Sequence, residues 1–191
     1  MSVPSQTALA ATSQLTLRRV VAVVLGAALV AAAAQVTGVI PGTPVPFTLQ
    51  PLAVLIVGGL LGPSLGASSL ILYLLLGAVG LPVFTPIGLP GAARLIGPTG
   101  GYLLAYPVAA YAVGRLIGKG DGTRTVRIAL ATLAGLALIH LGGLAQLLIL
   151  TGSAAQAARL GTLPFLVGDL GKLAIAVLVL RSSVSATRAR L

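Results

Sequence analysis

The chain has 191 residues, of which 57% are apolar and 7% charged, with a mean hydropathy of +1.09. A soluble domain carries about 25% charged residues, so the expected class is an all-α integral membrane protein. The formal charge of +10 would suggest a nucleic-acid partner in a soluble chain, but the basic residues here flank apolar runs and report membrane orientation instead. With no cysteine, disulfides and thiolate chemistry are excluded.

Residues 1–16 are polar and small, and are expected to form a disordered cytoplasmic N-terminus. Arg18 and Arg19 then open an apolar run that reads as a first membrane helix, about 18–38. A secretory signal is the alternative, because Ala31 to Ala34 could mimic a small-residue cleavage site. The run is long for a signal core, and the whole chain is equally apolar, so the helix is read as retained. Small residues four apart, Ala27/Ala31 and Ala28/Ala32, would let another helix approach closely, inside the chain or in a partner.

The segment VIPGTPVPFTLQP (39–51) holds four prolines and reads as a structured, partly apolar connection. Two helices follow, about 49–62 and 65–80, separated by the terminator Gly62-Pro63. Each is shorter than the roughly 20 residues of a full span, so they tilt, are shielded by protein, or form a re-entrant pair. Residues 80–99 make a Gly- and Pro-rich loop that still carries Leu81, Val83, Phe84, Ile87, Leu89, Leu95 and Ile96. Water gives a loop no reason to hold these together, whereas a lid over a cavity does.

A fourth helix, about 100–118, carries Tyr102, Tyr106 and Tyr111, and is followed by the hydrophilic link KGDGTRTVR (119–127). The fifth, about 125–150, holds the single histidine, His140. After a link at 151–161, a sixth helix covers about 162–181 and leads into a basic cytoplasmic tail, 182–191. Residues 17–181 are thus expected to form one compact bundle of six transmembrane helices. Placing both termini in the cytoplasm puts nine basic residues inside (Arg18, Arg19, Arg115, Lys119, Arg124, Arg127, Arg181, Arg188, Arg190) and two outside (Arg94, Arg159). That asymmetry favours both ends cytoplasmic, with the 80–99 lid outside, in a multi-pass protein of the cell membrane.

Near the middle of the apolar run 163–181, Asp169 and Lys172 stand three residues apart on one helical face. Charge inside a bilayer is costly enough to imply a purpose. A structural salt bridge, a ligand site and a proton relay are the three readings. The ligand site is preferred, because an ammonium suits a carboxylate while a carboxylate accepts ligand N–H groups. Arg94 is either an interfacial residue reaching water or an inward clamp on a carboxylate. His140 is either a helix–helix partner or a ligand contact. Gln35 and Gln50 either donate to a ligand or cap helix ends, and Tyr73, Tyr102 and Tyr106 offer apolar bodies with hydroxyl tips. GPTGGY (97–102) lacks the lysine and hydroxyl of a phosphate loop. Its glycines, Gly100 included, suit a tight turn and close approach to a ligand. No metal cluster, ATP site or nucleophilic triad can be assembled, so no enzyme is expected.

Three blocks in order, VPFTLQPLAVLIVGGLLGPSLGASSLILYLLLGAVGLPVF (45–84), GPTGGYLLAYPVAAYAVG (97–114) and GDLGK (168–172), resemble the BioY family along most of the chain. The resemblance implies a biotin-specific substrate-binding component of an energy-coupling factor transporter, six-helical, with a cavity that opens outward beneath loops. It carries the family's aspartate and lysine onto Asp169 and Lys172, with Asp169 accepting a ureido N–H of biotin and Lys172 pairing with its carboxylate. It brings Thr48, Gln50 and Gly97 to Tyr102 near the site; Arg94, Tyr73 and His140 are further candidate contacts from the residues themselves. The family's helix-packing alanines fall on Ala27/Ala31 or Ala28/Ala32. The chain has no asparagine, so Thr85, Gln50 or backbone groups would replace an amide found in some relatives. The implied partners are membrane lipid, a transmembrane coupling subunit (EcfT- or BioN-like) and ATP-binding subunits (EcfA- or BioM-like), which would use ATP while this chain holds no cofactor. The alternatives are a component for another vitamin, or a solitary proton-coupled transporter of a small organic anion.

Overall fold

A computed structural model describes residues 6–118 and 125–191, with side chains from Gln14 onward. Lys119, Asp121 and Arg124, which entered the reading of the 119–127 link and the charge count, lie outside the described residues. The elements are α1 (Gln6–Gln35), a hairpin of β1 (Thr37–Gly38) and β2 (Phe47–Thr48), α2 (Gln50–Ala78), α3 (Ala93–Ile96), α4 (Gly100–Ile117), α5 (Thr125–Thr151), α6 (Ala154–Gly161), a single 3-10 turn (Leu163–Phe165) and α7 (Leu166–Arg188). Among the described residues, four segments are long and apolar enough to cross a membrane: Gln14–Gln35, Gln50–Ala78, Thr125–Thr151 and Ala154–Arg188.

Within α2 the chain breaks at Gly62, whose φ of 81° is open to glycine at little cost. Pro63 follows and cannot continue the hydrogen-bond ladder. The two arms, 50–61 and 63–78, fold against each other. A Cβ built on Gly66 would lie 3.0 Å from the Gly58 Cα, whereas residues eight apart along a straight helix are separated by roughly 12 Å. The two short helices expected from the sequence are therefore the arms of one helical hairpin, and the bundle has six membrane helices: α1, the two arms of α2, α4, α5 and α7.

Pro63 leaves the Gly59 carbonyl without its helical partner. The Arg188 guanidinium near the end of α7 supplies one, with Nε and Nη2 donating to Gly59 O at 2.9 and 2.6 Å. The same group donates to the carbonyls of Gly118 and Gly114 at the end of α4. One cation thus satisfies orphan carbonyls of two helices and complements the negative end of α4.

Where the bounds differ from expectation, local physics explains it. α1 starts at Gln6, inside the segment read as disordered, because extending a formed helix through Ala, Leu and Thr is far cheaper than nucleating one. α7 continues into the expected tail because Arg188 is anchored. The 151–161 link contains α6, whose N-cap is Ser153, accepting from the Gln156 N–H at 3.3 Å.

The core divides by chemistry. Aromatic residues Tyr73, Phe84, Tyr102, Tyr106 and Phe165 pack with Val54 and Leu70 at the end that carries the hairpin and α3. Aliphatic residues Leu55, Val113, Ile117, Ile128, Leu180 and Val184 fill the other end. α4 and α5 meet at Gly101 and Gly142, where a Cβ on either would run into the other's carbonyl. Outward faces such as Val20, Leu25, Leu130 and Leu178 are exposed and apolar, as a lipid-facing surface requires.

Candidate functional site

A cavity of about 560 Å³ of empty space, its mouth included, lies at the aromatic end of the bundle. Its floor is built from α4, α5 and α7, through Tyr102, Tyr106, His140, Asp169 and Lys172, and its roof from the hairpin and the 79–99 loop, through Val45, Pro46, Thr48, Phe84, Thr85 and Arg94.

The centre of the site is Asp169. The 3-10 turn at Leu163–Phe165 delays the start of the last helix, so Asp169 sits in the first turn of α7 rather than near the middle of a helix. Unpaired N–H groups and the positive end of the helix dipole favour a carboxylate there. Its Oδ1 accepts from Lys172 Nζ at 2.8 Å, and its Oδ2 lies 2.8 Å from His140 Nε2. A carboxylate only accepts, which puts the imidazole proton on Nε2. The Nδ1 atom is buried without a hydrogen-bond partner. Asp169 is 3% and Lys172 4% exposed, so the pair belongs to the protein interior and not to the lipid face.

Arg94 turns inward. It is 3% exposed and lines the cavity, with Nε donating to Leu89 O and Nη1 to Ile87 O, each at 2.6 Å. Its guanidinium also lies 5.8 Å from the centre of the Phe84 ring. Burial lowers its pKa and the nearby Tyr73 phenol offsets part of that; a guanidinium stays charged regardless. The interfacial alternative is thereby overturned: the side chain turns inward because its own loop supplies the carbonyls that satisfy it. Gln35 fastens the same roof from outside the cavity, donating to Phe84 O at 3.2 Å, and Gln146 holds Ile96 O at 3.0 Å.

Thr48 and Gln50 line the cavity and form a polar chain behind it. The Thr48 hydroxyl is 3.2 Å from Gln50 Oε1, and Gln50 Nε2 donates to the Tyr73 hydroxyl at 2.5 Å. Tyr73 therefore stands behind Gln50 rather than on the cavity wall. Tyr102 presents its ring, edge-on to His140 at 6.2 Å between centroids, while its hydroxyl is held by Gly161 O at 2.5 Å. Gly100 is not on the wall: it packs where a Cβ would strike the Leu95 carbonyl, so it serves the α3–α4 junction. Ala27 is buried against the bundle and Ala31 partly so, whereas Ala28 and Ala32 are exposed. Sequence reading passed over Ile139 and Phe165 as wall residues. Apolar side chains in an apolar chain carry no signal that separates wall from core.

The fold and site are those of a membrane bundle with a roofed cavity that holds, among the described residues, the His140–Asp169–Lys172 cluster and Arg94. The chain belongs to the BioY family, which it matches over residues 6–189. It is 43% identical over 136 residues to the probable biotin transporter BioY of Pyrococcus horikoshii, covering 71% of this chain and 78% of that one. It is 38% identical over 140 residues to the biotin transporter BioY of Thermotoga maritima, covering 73% and 81%. The crystal structure of an S-component for biotin from an ECF-type ABC transporter superposes with a TM-score of 0.79 at 27% identity, covering 87% of this chain and 90% of that one.

Proposed function

We propose that this chain captures biotin in the lidded cavity and delivers it across the membrane. It is a transporter component of the membrane, a biotin S-component of the ECF type, and not an enzyme. The observation that carries the assignment to the cavity is the enclosure of His140, Asp169, Lys172 and Arg94 around one space.

Charge counting refines the roles. Asp169 already neutralises Lys172, and it is the single acid among the described side chains. Arg94 has carbonyls but no carboxylate, so the cavity carries one unmatched positive charge. This supports a different division from the one the resemblance suggested. A ureido group both donates N–H and accepts at its carbonyl, and the adjacent Asp169 carboxylate and Lys172 ammonium offer the complement. The valerate carboxylate then pairs with Arg94, whose planar fork suits it. Phe84, Tyr102, Tyr106 and Phe165 cover the thioether ring and chain, and Thr48, Thr85 and Gln50 supply neutral hydrogen bonds.

Where the apolar run of α1 begins, Arg19 Nε donates to Leu191 O just beyond α7 at 3.2 Å, which supports the start of that run and the C-terminus lying on one side. The arginine excess at that end supports its being cytoplasmic, with the hairpin and loop roof outside. Ala28 and Ala32, exposed on α1, would meet a transmembrane coupling subunit, and partner ATP-binding subunits would use the ATP. Equilibrium binding of biotin to the purified chain in detergent tests the reading, with thiamin, riboflavin and lipoate as competitors. Saturable binding that the others fail to displace is expected; none by the folded protein overturns it.

A further inference from the structure

The short β2 strand divides its two residues between two tasks. Successive strand residues face opposite sides. Thr48 is buried against the cavity, whereas the half-buried Phe47 lies over α7. There the Lys172 Nζ lies 3.9 Å from the Phe47 ring centroid. Gly168, one helical turn before Lys172, leaves room for the ring, since a Cβ at that position would collide with the Phe47 Cε2 edge. The hairpin that carries the ring is itself tied down. Thr37 pairs with Thr48 and Gly38 with Phe47, and the Thr43 hydroxyl donates to Leu160 O at 2.6 Å.

We propose that Phe47 is a positioning residue for Lys172: its ring holds the ammonium facing the cavity, so that the cation is ready for ligand only while the β1–β2 hairpin is closed. An ammonium has three N–H donors. One meets Asp169 Oδ1, and the ring face takes another side through its quadrupole without accepting a conventional hydrogen bond. The remaining donor direction is left to the cavity that Lys172 lines. Lifting the hairpin withdraws the ring, and the flexible lysine stem then relaxes onto Asp169 or toward water. Hairpin closure and recognition by Lys172 are thereby one event, which gives the roof a reason to close on ligand. Among the described residues, no other hairpin residue makes a hydrogen bond, ion pair or ring contact with this cation.

The inference rests on the biotin reading above, and its test separates the two. Biotin affinity is measured for the wild-type chain, Phe47→Leu, Phe47→Tyr, Lys172→Met and the Phe47→Leu/Lys172→Met double variant. In parallel, hydrogen exchange of the hairpin amides (residues 36–48) is followed without ligand. Phe47→Leu is expected to weaken binding about tenfold, and Phe47→Tyr, which keeps the ring face, to stay within about threefold of wild type. In the Lys172→Met background, Phe47→Leu should add less than about twofold, because coupled residues are not additive. Hairpin exchange should rise equally in Phe47→Leu and Lys172→Met and not in Phe47→Tyr. A full, additive loss in the double variant, or Phe47→Leu binding at wild-type strength, overturns the role of Phe47 and leaves the biotin reading intact. If the wild-type chain binds no biotin, that reading fails, and the exchange data alone judge the Phe47–Lys172 link: unequal responses overturn it.

Discussion

Asp169 holds two donors at once, and the consequences of its removal follow from what is left behind. Replacing it by alanine strands a buried ammonium beside an imidazole that has lost its acceptor. Breaking a buried pair from one side costs about 3–5 kcal/mol, so Asp169→Ala should lower the thermal midpoint in detergent markedly. Replacing Asp169 and Lys172 together by leucine removes both charges, and folding should recover to near wild type. Biotin affinity should nonetheless fall by about 100-fold or more, as when buried hydrogen-bonded charges at an interface are truncated. Recovery of stability together with full binding would mean that the pair is only an internal bridge. Arg94→Lys tests the other end of the ligand. Lysine cannot hold the Leu89 and Ile87 carbonyls and a carboxylate in one planar fork. Biotin affinity should drop about tenfold to 100-fold, while the uncharged amide of biotin, which binds more weakly, should be almost indifferent to the change. Equal losses for both ligands would place the carboxylate elsewhere. At this scale Asp169 and Lys172 were legible because charge in an apolar run is conspicuous. The His140 contact was not, because His140 and Asp169 are 29 residues apart and only the packing of α5 on α7 joins them.

Among the elements, the helical hairpin of α2 depends on two residues within it and one far away. Gly62 adopts a φ of 81°, so Gly62→Ala should cost about 1–2 kcal/mol from backbone strain alone, since a Cβ there would meet nothing within 4 Å. Arg188→Met leaves the Gly59 and Gly118 carbonyls without this donor, at about 1–3 kcal/mol for each group that water cannot reach. Its expected signature is a lower thermal midpoint and faster proteolysis of the α7 end, with biotin affinity within about threefold of wild type, since Arg188 lies at the opposite end of the bundle from the cavity. A large loss of affinity would instead tie the clamp to the site. Gly62-Pro63 announced the break in the sequence. The partner of the freed carbonyl could not be read there, because Arg188 lies 129 residues from Gly59 in a segment whose charge suggested a solvated tail.

For the whole molecule, the two alanine registers on α1 separate folding from assembly. Ala27 is 3% exposed against the bundle. A leucine there overfills the core and should destabilise the isolated chain by about 1–3 kcal/mol. Ala28 and Ala32 face outward, so Ala28→Leu and Ala32→Leu should leave folding and biotin binding unchanged. Both should reduce co-purification with the transmembrane coupling subunit, because small residues are what allow membrane helices to approach. Retention of the complex by both variants would move the partner face off this stripe. The sequence showed both registers but not which faced inward, since a run of alanines has no apolar side to distinguish.

Membership of the membrane, the number of helices, the break at Gly62 and the buried acid–base pair were all determined by the sequence itself. Each follows from local chemistry: hydropathy along a run, the conformational limits of glycine and proline, the cost of charge in lipid. The tertiary structure alone decided that Arg94 turns inward and that His140 shares the carboxylate of Asp169. It also decided that Phe47 covers Lys172, that Arg188 closes the far end, and which alanines of α1 face outward. These depend on which side chains from distant segments meet, and in a chain so uniformly apolar only close packing of helices fixes those meetings.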